Sequence, residues 1–352
     1  MAQSRNYNLD ILRILAAAMV FTVHLGVFFP WIYEYTWTGF YGVMLFFVLS
    51  GYLTMCSVES SKSVGEYYKK RVVRIVPLYF SVLIVDYICI LVENILANIM
   101  SGAEIFTGVF SYGGPCSVKY LRYFGFLNMF IPSDNFSVWN NMEGFWTMSC
   151  FAFFYLVTPI FYKLFKKFLV FLPILAVTLY FQRAFVSWLE AKLNDWVPWA
   201  DNLHDFALET PISMLYCYML GIAVYLAHKD KQQFLFVVLC GYSMIFNEFK
   251  WFAWEILMAV MVLAAIELPS IAGDSLRAHK VIKTCSAVSF PLYLTHLIVL
   301  RYFTRLQDVL VPYIRHKGFL GLTMIVCCGV AYLVWRFVAT PLEGKMRKAL
   351  KV

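Results

Sequence analysis

Arg13 and His24 are the first residues equipped for chemistry, and both lie in LDILRILAAAMVFTVHLGVFF, residues 9–29, a stretch otherwise long and apolar enough to cross a bilayer. A helix turns about 100° per residue, so a separation of eleven puts both side chains near one face, roughly 16 Å apart along the axis. Ionisable groups at membrane depth are costly and normally face a bundle interior or a wet cavity. One reading is that they anchor the helix at its two interfaces, Arg13 by snorkelling toward headgroups. The other is a polar stripe lining an internal pocket, with the imidazole placed for proton transfer.

A second cluster is YYKKRVVRIVPLYF, residues 67–80, with Lys69, Lys70, Arg71 and Arg74 at the start of the third apolar stretch. Arg71 and Arg74 are three apart and share a helical face. Paired guanidiniums grip phosphate groups through forked hydrogen bonds; the same residues would also suit anionic lipid. In GVMLFFVLSGYLTM, 42–55, Ser50 and Gly51 allow close approach of either a helix or a ligand. In SFPLYLTHLIVL, 289–300, His296 lies near Tyr293 and reads as a hydrogen-bonded packing residue or as a catalyst. Asp10 precedes Arg13 by three residues and can pair with it, while Asp86, Glu93 and Glu143 are further carboxylates in or near apolar stretches. The sequence offers no Ser-His-Asp order, no glycine-rich phosphate loop and no metal-ligand spacing, so no metal is expected and a side-chain nucleophile is poorly supported.

The elements that position these residues follow from composition. Of 352 residues, 61% are hydrophobic and 14% charged, with a mean hydropathy of +0.69. Soluble domains carry about a quarter charged residues, so the chain reads as an all-α polytopic membrane protein. Apolar runs suggest about ten spans, near 9–29, 40–57, 75–97, 144–162, 168–187, 210–227, 233–248, 251–267, 284–303 and 318–340. One integral membrane domain over 1–352 is expected, without a cleaved signal or an appended soluble domain. The Lys and Arg residues concentrate in alternate connections, whereas 188–209 is acidic; the positive-inside rule then puts both termini in the cytoplasm. This asymmetry accounts for the net charge of +8 without a nucleic-acid partner. The long outward segment, 98–143, is rich in aromatics and amides, suiting either sugar stacking or an interfacial aromatic belt.

Taken together, these residues resemble the acyltransferase-3 family of integral membrane acyltransferases, which includes O-antigen and exopolysaccharide O-acetyltransferases. The opening helix with Arg13 and His24, FFVLSGYL (46–53), RVVRIVPLY (71–79) and FPLYLTH (290–296) resemble family elements in the family's order. One departure stands out. WTMSCFAFFYLVTP, 146–159, keeps Trp146, Tyr155 and Pro159 but has Phe151 where the family often has glutamate; Glu143 is a candidate substitute. The resemblance implies an acyl-coenzyme A co-substrate, with no permanently bound cofactor, and a carbohydrate hydroxyl as acceptor. Acetyl is the first choice of acyl group and succinyl the second. It further implies His24 as general base with Arg13 as its catalytic companion. Lys69, Lys70, Arg71 and Arg74 would hold the coenzyme, and Ser50, Glu143, Trp146, Tyr155 and His296 would be near substrate. The rival reading is a transporter or flippase of an anionic or lipid-linked solute, and a third is an inactive scaffold.

Overall fold

Long apolar stretches with few backbone breakers satisfy their own amides as helices, the one open structure that can do so in lipid. A computed structural model describes residues 5–110, 120–132, 143–200, 203–245 and 250–352, and among the described residues every regular element is helical. The long helices are α1 (Tyr7–Phe28), α2 (Tyr41–Glu59), α3 (Val64–Ser101), α4 (Trp146–Leu164) and α5 (Phe168–Trp196). They continue as α6 (Leu215–Lys229), α7 (Gln233–Ile245), α8 (Ala253–Glu267), α9 (Leu276–Phe303), α10 (Gln307–Val334) and α11 (Thr340–Leu350). Side-chain caps fix three starts: Asn6 accepts from the Leu9 amide (3.1 Å), Ser63 from Glu66 (3.1 Å) and Ser275 from Ala278 (3.3 Å).

The bundle is built on α2. It crosses α6 almost backbone to backbone: a Cβ on Gly51 would overlap the Tyr218 carbonyl, and one on Gly221 would overlap the Val48 carbonyl. Thr54 on α2 and Thr158 on α4 share the Tyr218 hydroxyl. α1 lies against both α2 and α9, and α9 against α10.

Among the described residues, six helical runs are long and apolar enough to cross a membrane: α1, a run at 30–59 containing α2, α3, α4, α5, and a run at 276–350 containing α9 to α11. Hydropathy alone suggested about ten. The difference lies largely in α6, α7 and α8, whose described parts of 15, 13 and 15 residues rise roughly 20–22 Å, short of a hydrocarbon core of about 30 Å. α6 is buried throughout Tyr216–Ala227, so its apolar character serves the protein interior and not lipid. Two other boundaries move. α3 starts at Val64, which places the basic cluster on the helix, and α5 runs to Trp196, so Glu190 and Asp195 are helical. Within 98–143, Tyr120 and Tyr123 are buried against α3, with the Tyr120 hydroxyl donating to Leu83 O (3.0 Å) and Asp86 (3.2 Å). These two rings are core and offer no platform to a sugar; Tyr112 and Trp139 lie outside the described residues.

The α2–α6 crossing makes a stability prediction. Gly221→Val forces two backbones apart at a cost of about 1–3 kcal/mol or more, lowering the thermal midpoint of the detergent-solubilised protein. Gly241→Ala, whose Cβ would meet open space, does not lower it; equal midpoints for the two variants would contradict this packing.

Candidate active site

Asp10 organises one end of the α1–α9 contact. It is 2% exposed, and it accepts from Arg5 Nε (2.5 Å), Arg13 Nη1 (2.9 Å) and Ser286 Oγ on α9 (2.8 Å). A carboxylate this buried is tolerable because both oxygens are occupied and two guanidiniums balance the charge. The result is a fixed Arg13, held at the junction of two cavities.

The wider cavity, about 690 Å³, forms a vestibule at the basic end of the bundle. Arg13, Lys70, Arg71 and Arg74 line it, joined by four cations that the sequence did not assign to the site: Arg5, Lys280, Lys283 and Arg347. No carboxylate is on its wall among the described residues. Arg71 carries an unpaired donor. Its guanidinium lies over the rings of Tyr67 (5.5 Å) and Tyr155 (5.6 Å), while its buried Nε has no hydrogen-bond partner. Arg74 faces Glu343 of α11 at 3.8 Å, and Lys70 pairs with Glu66 at 2.8 Å. Lys69, expected with them, is exposed and lines neither cavity. At about 100° per residue it points roughly 140–200° away from Arg74 and Arg71.

The narrower cavity, about 140 Å³, leads inward from the shared residues Arg13, Arg71, Arg74 and Ser286. Its walls are largely apolar, with Phe46, Leu49 and Leu53 of α2, Phe151 of α4 and Phe290 of α9. Polar points are Ser50, Tyr155, Ser289 and Tyr293; Ser50 Oγ donates to Tyr155 Oη at 3.4 Å. Ser50 thus faces the cavity while its neighbour Gly51 serves helix packing. Phe151 fills a stretch of wall between Phe47 (ring centroids 5.1 Å) and Tyr155 (6.0 Å), so the position of the family glutamate faces the cavity and is apolar here. Trp146 is 7% exposed, packs on Phe47 (5.9 Å) and is not on the cavity wall. The Glu143 side chain lies outside the described residues.

The cavity does not continue to His24. It closes at Tyr293, whose hydroxyl is bonded to Thr147 (2.6 Å) and to the Gly144 carbonyl (2.9 Å), with the ring edge-on to Phe46 (5.6 Å). One turn beyond, the fully buried His296 meets half-buried His24, Nε2 to Nδ1, at 3.0 Å. The one internal pocket that a polar stripe from Arg13 to His24 would line is therefore interrupted, with Tyr293 on the wall where the cavity ends. The pairing of His24 with His296 is new relative to the sequence. Its signal was present: Lys280, Lys283, Ser286, Ser289, Tyr293 and His296 recur every three or four residues, a stripe winding along α9 from the vestibule to the imidazole pair.

The Asp10 junction is testable by thermal unfolding. Asp10→Asn leaves two guanidiniums without their shared charge and should cost about 1–3 kcal/mol, whereas Ser286→Ala should cost about 1 kcal/mol or less. An Asp10→Asn midpoint equal to that of the unaltered protein would contradict the junction.

Comparison with known proteins adds an independent finding. The acyltransferase-3 family model, described as an acyltransferase domain, matches residues 6–338. No significant match to the chain occurs among curated proteins or solved structures. The matched span takes in Asp10, Arg13 and Ser286, the walls of the inner cavity and the imidazole pair, and on that span the chain belongs to the acyltransferase-3 family of membrane acyltransferases.

Proposed function

We propose that the protein moves a small acyl group, acetyl by preference, from acyl-coenzyme A to a hydroxyl of a cell-surface or lipid-linked carbohydrate. The basic end is taken as the cytoplasmic face of a bacterial inner membrane, with both termini on that side. One observation carries this reading: a vestibule lined by eight cations narrows at Arg13 into an apolar cavity that ends one helical turn from a histidine pair. Phosphates belong in the first compartment, a flexible thioester arm in the second, and a hydroxyl proton at the third.

In this account Arg71, Arg74 and Lys70 hold the coenzyme phosphates, with Lys280, Lys283 and Arg347 completing the charge. Arg13, roughly 16 Å along α1 from His24, positions the arm and is too distant to meet an oxyanion at the imidazole. The deep end, between Phe46, Leu49 and Tyr293, presents no charged side chain, which favours acetyl over succinyl because a carboxylate left there would be unpaired. Passage of the thioester requires Tyr293 to give way, so this residue separates donor from acceptor until both are bound. His24 then takes the hydroxyl proton as oxygen attacks the thioester carbon. The carbon–sulfur bond breaks, and the departing thiolate takes that proton, so ester and free thiol are formed in balance.

In vesicles with labelled acetyl-coenzyme A, label should appear in glycan. His24→Ala should reduce transfer by about 10²–10⁴-fold at normal protein level. Arg71→Ala with Arg74→Ala should raise KM for the donor tenfold or more, on the order of a lost charge-assisted bond. Movement of an intact solute without thioester consumption would replace this reading with transport.

A further inference from the structure

His296 is 0% exposed, with the Leu292 carbonyl at Nδ1 (3.0 Å) and His24 Nδ1 at Nε2 (3.0 Å). A carbonyl oxygen can only accept, so His296 Nδ1 carries a proton, and in the neutral ring Nε2 is then a bare lone pair. His24 Nδ1 faces that lone pair and also the Val20 carbonyl at 2.9 Å. Both are acceptors, so His24 Nδ1 carries the proton they share. One nitrogen remains: His24 Nε2, a lone pair with no hydrogen-bond partner among the described residues.

Resting on the acyl-transfer reading, we propose that His296 is a positioning residue, aiming His24 so that Nε2 faces the acceptor hydroxyl and accepting from Nδ1–H while His24 is an imidazolium. The shared bond is neutral before proton transfer and charge-assisted after it, so it strengthens as the reaction proceeds, which is what an interaction must do to speed a chemical step. In triads a buried carboxylate does this work. Here the acceptor is a neutral imidazole, in surroundings where an unpaired carboxylate would be costly: Phe21 is edge-on to His296 (5.9 Å), and Leu25, Leu300 and Phe319 close a small apolar cluster around the pair. The titratable side chains nearby are Tyr293 on α9, ring centroid 6.2 Å from His296, and Cys327 on α10, in the same cluster. No carboxylate, guanidinium or ammonium bonds either ring among the described residues.

Glutamine and asparagine separate this role from simple packing. A glutamine amide oxygen can occupy the place of Nε2 and accept from His24, whereas the asparagine amide ends near Nδ1 and cannot reach it. In the vesicle assay, His296→Phe and His296→Asn should lose about 10²-fold in kcat with KM for acetyl-coenzyme A unchanged, and His296→Gln should stay within about tenfold of wild type. Wild-type kcat in His296→Phe or His296→Asn, or a glutamine variant no better than phenylalanine at equal protein level, would overturn the proposal. A second readout does not need turnover: ¹⁵N spectra of histidine-labelled protein in bilayers should show His24 and His296 both protonated at Nδ1 and bare at Nε2. A proton on His24 Nε2 would overturn the assignment. A wild type that transfers no acetyl would sink the acyl-transfer reading, and the spectra would still decide the placement of His24 Nε2.

Discussion

Two buried polar contacts fasten α1 to α9, and the other features of the site depend on them. At one end Asp10 accepts from Ser286; at the other His24 meets His296. Neither helix can rotate or slide without exposing a buried carboxylate or imidazole to hydrocarbon, where an unmatched polar group costs several kcal/mol. The register between α1 and α9 is therefore fixed at two levels, and the inner cavity lies between those levels.

That register sorts the bundle into compartments of different dielectric. The vestibule concentrates like charges that repel one another until an anion arrives, and the uncommitted Nε of Arg71 is the local sign of this. Beyond Arg13 the walls turn apolar, and electrostatic contacts strengthen as water is excluded. Tyr293 stands where the cavity stops, tied by its hydroxyl to α4 and to the turn before it. On the proposed reading, the highly charged parts of a donor would stay at the wet end, and the reacting bond would lie at the deep end, with Tyr293 between it and the imidazole pair.

Much of this was legible from residue spacing. The eleven-residue step from Arg13 to His24 placed both toward one side of the bundle, and the three-residue step from Arg71 to Arg74 brought both to the vestibule. Asp10 before Arg13 gave the ion pair. Other parts needed the third dimension. Lys69 is adjacent in sequence to Lys70, yet helical rotation turns it away. Trp146 and Tyr155 share a helix, but only Tyr155 reaches the cavity. Hydropathy could not separate α6, apolar because it is buried in protein, from a helix that faces lipid. His296 looked solitary because its partner is 272 residues away; the polar stripe along α9 led to it without identifying that partner.

The central claim is that a thioester donor lies with its phosphates in the vestibule and its acyl end against Tyr293. It is tested most directly by photolabelling with an acyl-coenzyme A analogue bearing a diazirine at the acyl terminus, followed by peptide mass spectrometry. The account requires label on the inner-cavity wall, at Phe46–Leu49 of α2, Phe151 of α4 and Phe290–Tyr293 of α9, with labelling suppressed by unmodified coenzyme A. Label confined to lipid-facing residues such as Val85 and Ile88 of α3, or insensitive to coenzyme A, would contradict it.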